Sequence, residues 1–209
     1  MIAYERNGAA IYRRSFQTIR DETDLTGLEP ILERVVVRMI HACGMVDLVA
    51  DVAASAGFGA AARSALRGGA PILCDTSMVA AGITRARLPA DNEVVCTLGE
   101  PGVAELAGTL GTTRSAAALT LWSERLDGAL VVVGNAPTAL FALLELVESA
   151  RAGRPAAVIG VPVGFVGAAE SKLALAQHAS GLEHLVVHGR RGGSAIAAAA
   201  VNALAQDAE

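Results

Sequence analysis

At 209 residues, with 53% hydrophobic and 18% charged side chains, the chain is long enough for one sizeable core and too apolar to be disordered in the main. Its formal charge of -4 gives no electrostatic case for nucleic acid. Charges, Pro or Gly break every apolar run well before ~18 residues, so no membrane span is expected.

The opening MIAYERNGAA lacks the basic-then-apolar pattern of a signal peptide, and a cytoplasmic protein is expected. Ala9–Arg20 has amphipathic helical spacing, with Ile11, Phe16 and Ile19 inward and Arg13, Arg14 and Ser15 on the same helix. Such a charge cluster reads as a solvated face. Leu28, Ile31, Leu32, Val35, Val36, Met39 and Ile40 then recur at helical spacing, and Gly44 stands where a left-handed turn stops a helix. Arg38 and His41, three apart, project from one side of its last turns. The helix dipole favours a cation there and would support a protonated imidazole. His is also the side chain whose unperturbed pKa allows proton donation near neutrality. Taken alone, these residues support a capping His beside a solvated Arg.

After Gly44, Asp47–Val52 (DLVADV) reads as a short strand. Gly57-Phe58-Gly59-Ala60-Ala61-Ala62 nearly matches the dinucleotide fingerprint, with Asp75 downstream and a helical run over Ala61–Leu66. Four residues, Ala53–Ala56, separate that strand from the first Gly, whereas the fingerprint needs its glycines directly after a strand. A loop and helix start is the simpler reading. From Pro71 onward, strands over Pro71–Cys74, Glu93–Leu98, Ala129–Val133, Ala156–Val161 and His184–Val187 alternate with helices. The helices are Met78–Ala81, Val103–Leu110, Arg114–Glu124, Thr138–Ala150, Ala168–His178 and Ser194–Ala205. This alternation argues for an α/β fold with a parallel sheet covered on both faces. No repeat or linker interrupts it, so one domain over residues 1–209 is expected. Cys43, Cys74 and Cys96 show no CxxC spacing and read as buried, inert thiols.

Small and polar residues gather where strands end: Asp75–Met78, Gly134–Thr138, Pro162–Lys172 and His188–Ser194. Parallel sheets bind ligands at this carboxyl edge, and helix N-termini there offer free N–H donors to anions. One such loop is ordinary turn chemistry; four together favour a ligand edge. Lys172 is the only lysine, so arginines supply the cations, and their planar fork suits carboxylates or phosphates. No Ser/His/Asp or Cys/His constellation stands out.

Six stretches together resemble one family: Arg38–Gly44 (RMIHACG), Pro71–Asp75, Thr84–Ala86, Thr113–Ala116, Gly134–Leu140 and Gly160–Lys172. Ile11–Phe16 and Gly189–Ala195 match as well. From about Tyr4 to Leu204 the chain is similar to precorrin-8X methylmutase. The resemblance implies a three-layer α/β sandwich and a homodimer. It implies an isomerase of cobalamin biosynthesis that moves a methyl group from C-11 to C-12 of precorrin-8X, giving hydrogenobyrinate without a metal or redox cofactor. It makes His41 the acid/base residue and places substrate contacts at Ser15 and Arg38. Arg13, Thr84, Arg114, Asn135 and Arg190 are further candidates to hold the carboxylates of the tetrapyrrole. Three alternatives stay open. These are a cobalt-containing precorrin-8 substrate, a noncatalytic corrinoid-binding protein, and an NAD(P)-binding oxidoreductase built on Gly57, Gly59, Ala62 and Asp75.

Overall fold

The computed structural model describes residues 2–149 and 152–207. Among these, a six-stranded sheet has the order β1-β6-β5-β4-β2-β3. Its strands are β1 (Val52–Ala54), β2 (Ile72–Cys74), β3 (Val94–Val95), β4 (Leu130–Val133), β5 (Ala157–Gly160) and β6 (His184–Val187). The pairings of β2 with β3, β2 with β4, β4 with β5 and β5 with β6 are parallel. Only β1 runs antiparallel, with Val52 opposite Val187.

Alternate residues of each strand serve opposite faces, which makes three layers. Leu130, Val132, Ile159, Leu185 and Val187 join one core with α1 (Gly8–Glu22), α2 (Pro30–Cys43), α3 (Phe58–Arg67), α4 (Ser77–Gly82) and α9 (Ser194–Leu204). Val131, Val133, Val158 and Val186 join the other with α6 (Arg114–Thr120), α7 (Pro137–Glu148) and α8 (Ala168–Ala176). The remaining helix, α5, spans Val103–Leu110. The α/β sandwich with a mainly parallel sheet is therefore the fold. No described helix is long and apolar enough to cross a membrane.

Several local expectations shift. Residues Val46–Asp51 form a 3-10 segment rather than a strand, and β1 begins only where β6 offers a partner. β3 is two residues long, because an edge strand has one neighbour and Thr97 turns its hydroxyl to the Ala118 carbonyl instead. α6 stops at Thr120; Trp122 then takes a tight turn and donates its indole N–H to Thr97. α8 stops at Ala176, where the His178 N–H bonds three residues back to Leu175. Ala150, expected to end α7, lies outside the described residues. Ile11 is 45% exposed, so α1 packs on Phe16 and Ile19 without it. Cys74 is buried, but Cys43 and Cys96 are partly exposed.

α9 explains its own composition. It is buried nearly all round, between α2, α4 and the sheet. Small side chains let neighbours approach: a Cβ on Gly82 would stand 2.6 Å from that of Ala198, and one on Gly134 would stand 2.8 Å from that of Ala197.

Candidate active site

The antiparallel β1 places the end of α2. The start of β1 faces the end of β6, so the segment entering it lies at the carboxyl edge of the parallel strands. That segment is Val46–Asp51, preceded by the last turn of α2 with Arg38 and His41. Gly44 closes the helix at φ 71°, and its N–H bonds the Ile40 carbonyl at 2.7 Å. Arg191, on the loop after β6, pins this segment through Asp47 at 2.8 Å and Asp51 at 3.5 Å.

α1 supplies the surroundings of His41. Its Nδ1 lies 2.8 Å from the Ser15 hydroxyl, and either atom donates according to the tautomer. The rings of Tyr12 and Phe16 flank the imidazole, with centroids 5.1 and 5.2 Å away. Residues 12, 15 and 16 share one helix face by their spacing. Arg38 lies over the same two rings, 6.0 and 5.8 Å from their centroids. Burial first, and the nearby Arg38 second, push the His41 pKa below its ordinary value. Desolvation and a neighbouring cation thus favour the neutral imidazole, in the opposite sense to the helix dipole.

Three cavities lie around this point. One of about 320 Å³ is lined by His41, Arg38, Tyr12, Thr84, Arg87 and Asn202, among others. A second, of about 520 Å³, shares Tyr12, Arg38 and Arg87 with it and adds Arg13, Phe16 and Gln206. A third, of about 480 Å³, has Ser15, Arg14 and His41 in its wall. The fold thus brings His41, Arg38, Arg13 and Thr84 to two cavities that share Tyr12, Arg38 and Arg87, while Ser15 meets His41 in the wall of the third.

Arg114, Asn135 and Arg190 line none of these cavities. Arg114 opens α6 and reaches the Leu98 carbonyl at 3.4 Å. Asn135 is exposed, and its backbone N–H donates to Asp75. The Arg190 guanidinium lies 5.2 Å from the centroid of the Phe165 ring. All three stand on the carboxyl edge, where the loops were expected, but apart from the His41 cleft.

The glycines after β1 do other work than phosphate binding. β1 is an antiparallel edge strand, not the first strand of a parallel unit. The Glu183 carboxylate sits 2.5 Å from where a Gly57 Cβ would be, and Ser55 donates to it. The chain's own carboxylate therefore takes the place an anion would occupy at the start of α3. Asp75 is buried and accepts the N–H groups of Gly134, Asn135 and Ala136 at 2.7–3.0 Å, capping the turn into α7. The basis for a dinucleotide site is removed on both counts. A Ser180–His178–Glu148 row also exists, with His178 2.5 Å from Ser180 and 3.1 Å from Glu148. It lies just before β6, at the amino edge, and lines none of the three cavities.

A family model for precorrin-8X methylmutase (CbiC) matches residues 10–207. The chain belongs to the precorrin-8X methylmutase family. It is 60% identical, over the whole of both chains, to the precorrin-8X methylmutase of Pseudomonas aeruginosa. It is 39% identical to the cobalt-precorrin-8 methylmutase of Salmonella typhimurium, over 96% of each chain. The crystal structure of a precorrin-8X methylmutase from Thermus thermophilus matches with a TM-score of 0.86 at 41% identity, covering 95% of each chain. As a member of the precorrin-8X methylmutase family, the chain is an isomerase of cobalamin biosynthesis.

Sequence reasoning missed three residues of the cleft. Tyr12 carries a signal in hindsight, since it lies three residues before Ser15 on the face that meets His41. Asn202 is the one polar side chain of an Ala-rich helix beyond its first residue, Ser194, which marks it as a group with a buried partner. Arg87 has no such mark, because only the packing of the turn after α4 brings it to the cleft.

Proposed function

We propose that this chain converts precorrin-8X to hydrogenobyrinate, moving the methyl group from C-11 to C-12 with His41 as the proton donor. The carrying observation is the Ser15–His41 pair, 2.8 Å apart, with His41 in the wall of a cavity that Arg38 and Arg87 also line. The reaction is an isomerisation, so atoms and electrons balance within the ring. A proton given by His41 during the shift is matched by one returned to it. No nucleophile or redox step is required.

Ser15 fixes the imidazole rotamer through Nδ1, serving as donor or acceptor as the ring's proton state requires, and leaves Nε2 as the atom that meets substrate. The flanking rings limit water. Arg38 and Arg13 bind peripheral carboxylates, and Thr84 offers a hydroxyl from the opposite wall. A carboxylate on Arg38 also offsets the cation that helps keep His41 neutral, so binding the substrate favours protonation of its own acid. Orientation and exclusion of water supply the remainder of the acceleration.

The higher identity to a precorrin-8X enzyme than to a cobalt-precorrin-8 enzyme supports the metal-free substrate. The enzyme works in the cytoplasm as a homodimer. The loop after β5 supports the dimer, since Phe165 is 83% and Val166 89% exposed on one chain. Mixing the protein with metal-free precorrin-8X and following the visible spectrum tests the reading, because the shift changes the conjugation. Catalytic conversion by the wild-type chain and a loss of about 10²–10⁴-fold in His41→Ala are expected. Turnover of the cobalt form alone, stoichiometric binding without turnover, or an active His41→Ala would each overturn the corresponding part.

A further inference from the structure

We propose that Arg87, facing Arg13 across the outer part of the cleft, forms a second carboxylate-binding clamp beyond the one at Arg38. The inference rests on the reading of the cleft as a polycarboxylate tetrapyrrole site.

The two guanidiniums arrive from different elements, Arg13 from α1 and Arg87 from the turn after α4, and both line the cavity of about 520 Å³. No Asp or Glu is among the residues lining it. Arg20, in the same wall, is already paired with Glu33, as Arg125 is with Glu93 and Arg191 with Asp47 in other parts of the chain. Among the described residues, neither Arg13 nor Arg87 has a side-chain hydrogen bond or ion pair. Two unpaired cations that share an acid-free cavity repel each other, and an anion between them relieves the repulsion. A planar carboxylate matches the donor fork of either arginine. Arg87 also lines the smaller cavity with His41 and Thr84, so a ligand that reaches it spans both spaces.

The arm that carries Arg87 is built, not loose. Asn202, 8% exposed on α9, accepts the Thr84 N–H at 2.8 Å and donates to the Gly82 carbonyl at 2.9 Å. Both halves of one buried amide are thus spent on the turn that leads into Arg85–Arg87. The Arg87 N–H then bonds the Thr84 carbonyl at 2.9 Å, closing that turn. Ordering an exposed turn from a buried helix has a reason if its side chain must meet a ligand at a fixed place.

The test compares hydrogenobyrinate with its methyl ester, which keeps the ring and removes the negative charges. Each is titrated by absorbance into wild-type protein and Arg87→Gln, at low and moderate salt. The expected result is a ten- to hundredfold weaker affinity of Arg87→Gln for the acid, a shallower salt dependence, and unchanged affinity for the ester. Equal affinity of both proteins for the acid would overturn the clamp, and so would an equal loss for acid and ester. Failure of the wild-type chain to bind the acid at all would overturn the tetrapyrrole reading and the clamp with it. Tight acid binding by the wild type alone separates the two.

Discussion

His41 illustrates how one side chain answers to several fields at once. It sits at a helix C-terminus, where the dipole favours its cation, yet burial and Arg38 drive its pKa down from 6.5. The sign of the pH effect follows. The unfolded chain binds this proton more readily than the folded one. His41 therefore lowers stability as pH falls below about 6.5, until the folded-state pKa is passed and the effect levels off. Chemical denaturation between pH 5 and 7.5 should show a shallower decline in His41→Gln than in wild type. Kinetics should carry the same signature. If His41 is the acid, kcat/KM falls as pH rises through the low free-enzyme pKa, and the matching limb of kcat lies at higher pH. Superposed limbs would mean that substrate carboxylates do not neutralise Arg38. Asn202 makes the other residue-scale prediction. Asn202→Leu is close in size but strands the Thr84 N–H and the Gly82 carbonyl, at about 1–3 kcal/mol for each group left unsatisfied. Urea denaturation should show that loss, and a curve matching wild type would mean that water serves both groups equally well.

At the scale of elements, α9 decides how closely the layers approach. Its alanines are not filler; they let α4 and the strand-end turn at Gly134 pack against it. Gly82→Ala puts its new methyl 2.6 Å from the Ala198 Cβ, a contact that something must yield to. Overpacking of this kind costs roughly 1–3 kcal/mol. Adding Ala198→Gly should restore part of that loss, giving a favourable coupling in a double-mutant cycle. Strictly additive losses would show that α4 moves aside freely. α8 reaches across in a different way. Its Lys172 is fully buried, donates to the Arg191 carbonyl at 2.6 Å, and is held by burial at a pKa of about 8. That bond fixes the loop whose Arg191 in turn holds Asp47 and Asp51, next to the end of α2. The position of His41 thus depends on a helix in the opposite layer.

For the whole molecule, the two cores share one sheet, with successive residues of β4 and β6 serving opposite faces. Loss of either core strips one face of the other's strands. We expect a single cooperative unfolding transition, with far-UV and near-UV signals coincident, for one domain over the chain. The exposed Phe165 and Val166 lie on a loop tied to its neighbour by the Gly164 N–H to the Arg190 carbonyl and the Gly193 N–H to the Val161 carbonyl. An ordered apolar tip is expected to meet a second copy. Light scattering should give twice 21.2 kDa, and Phe165→Glu should shift the population toward monomer. A fully active wild-type monomer would remove the dimer from the mechanism.

What the sequence determined by itself was whatever rests on local physics. The period of apolar residues set α2 and its stop at Gly44, where a left-handed turn is cheap only for glycine. Strand and helix alternation set the parallel α/β class, and His184–Val187 is β6 to the residue. Strand ends elsewhere contracted because ladder bonds, not composition, close a strand. The family motifs named His41, Arg38 and Ser15 without any knowledge of distance; the fold sets Ser15 2.8 Å from His41, and Arg38 lines a cavity with it. Tertiary structure alone decided the rest. β1 is antiparallel because its partner is β6, a pairing no nearby residue encodes. Ser15 and His41 are 26 residues apart, and Asn202 lies 118 residues from Thr84. The depressed His41 pKa depends on burial, which exists only once α1 closes over α2. Periodicity says which face of a helix turns inward; only the packed chain says which distant residue waits there.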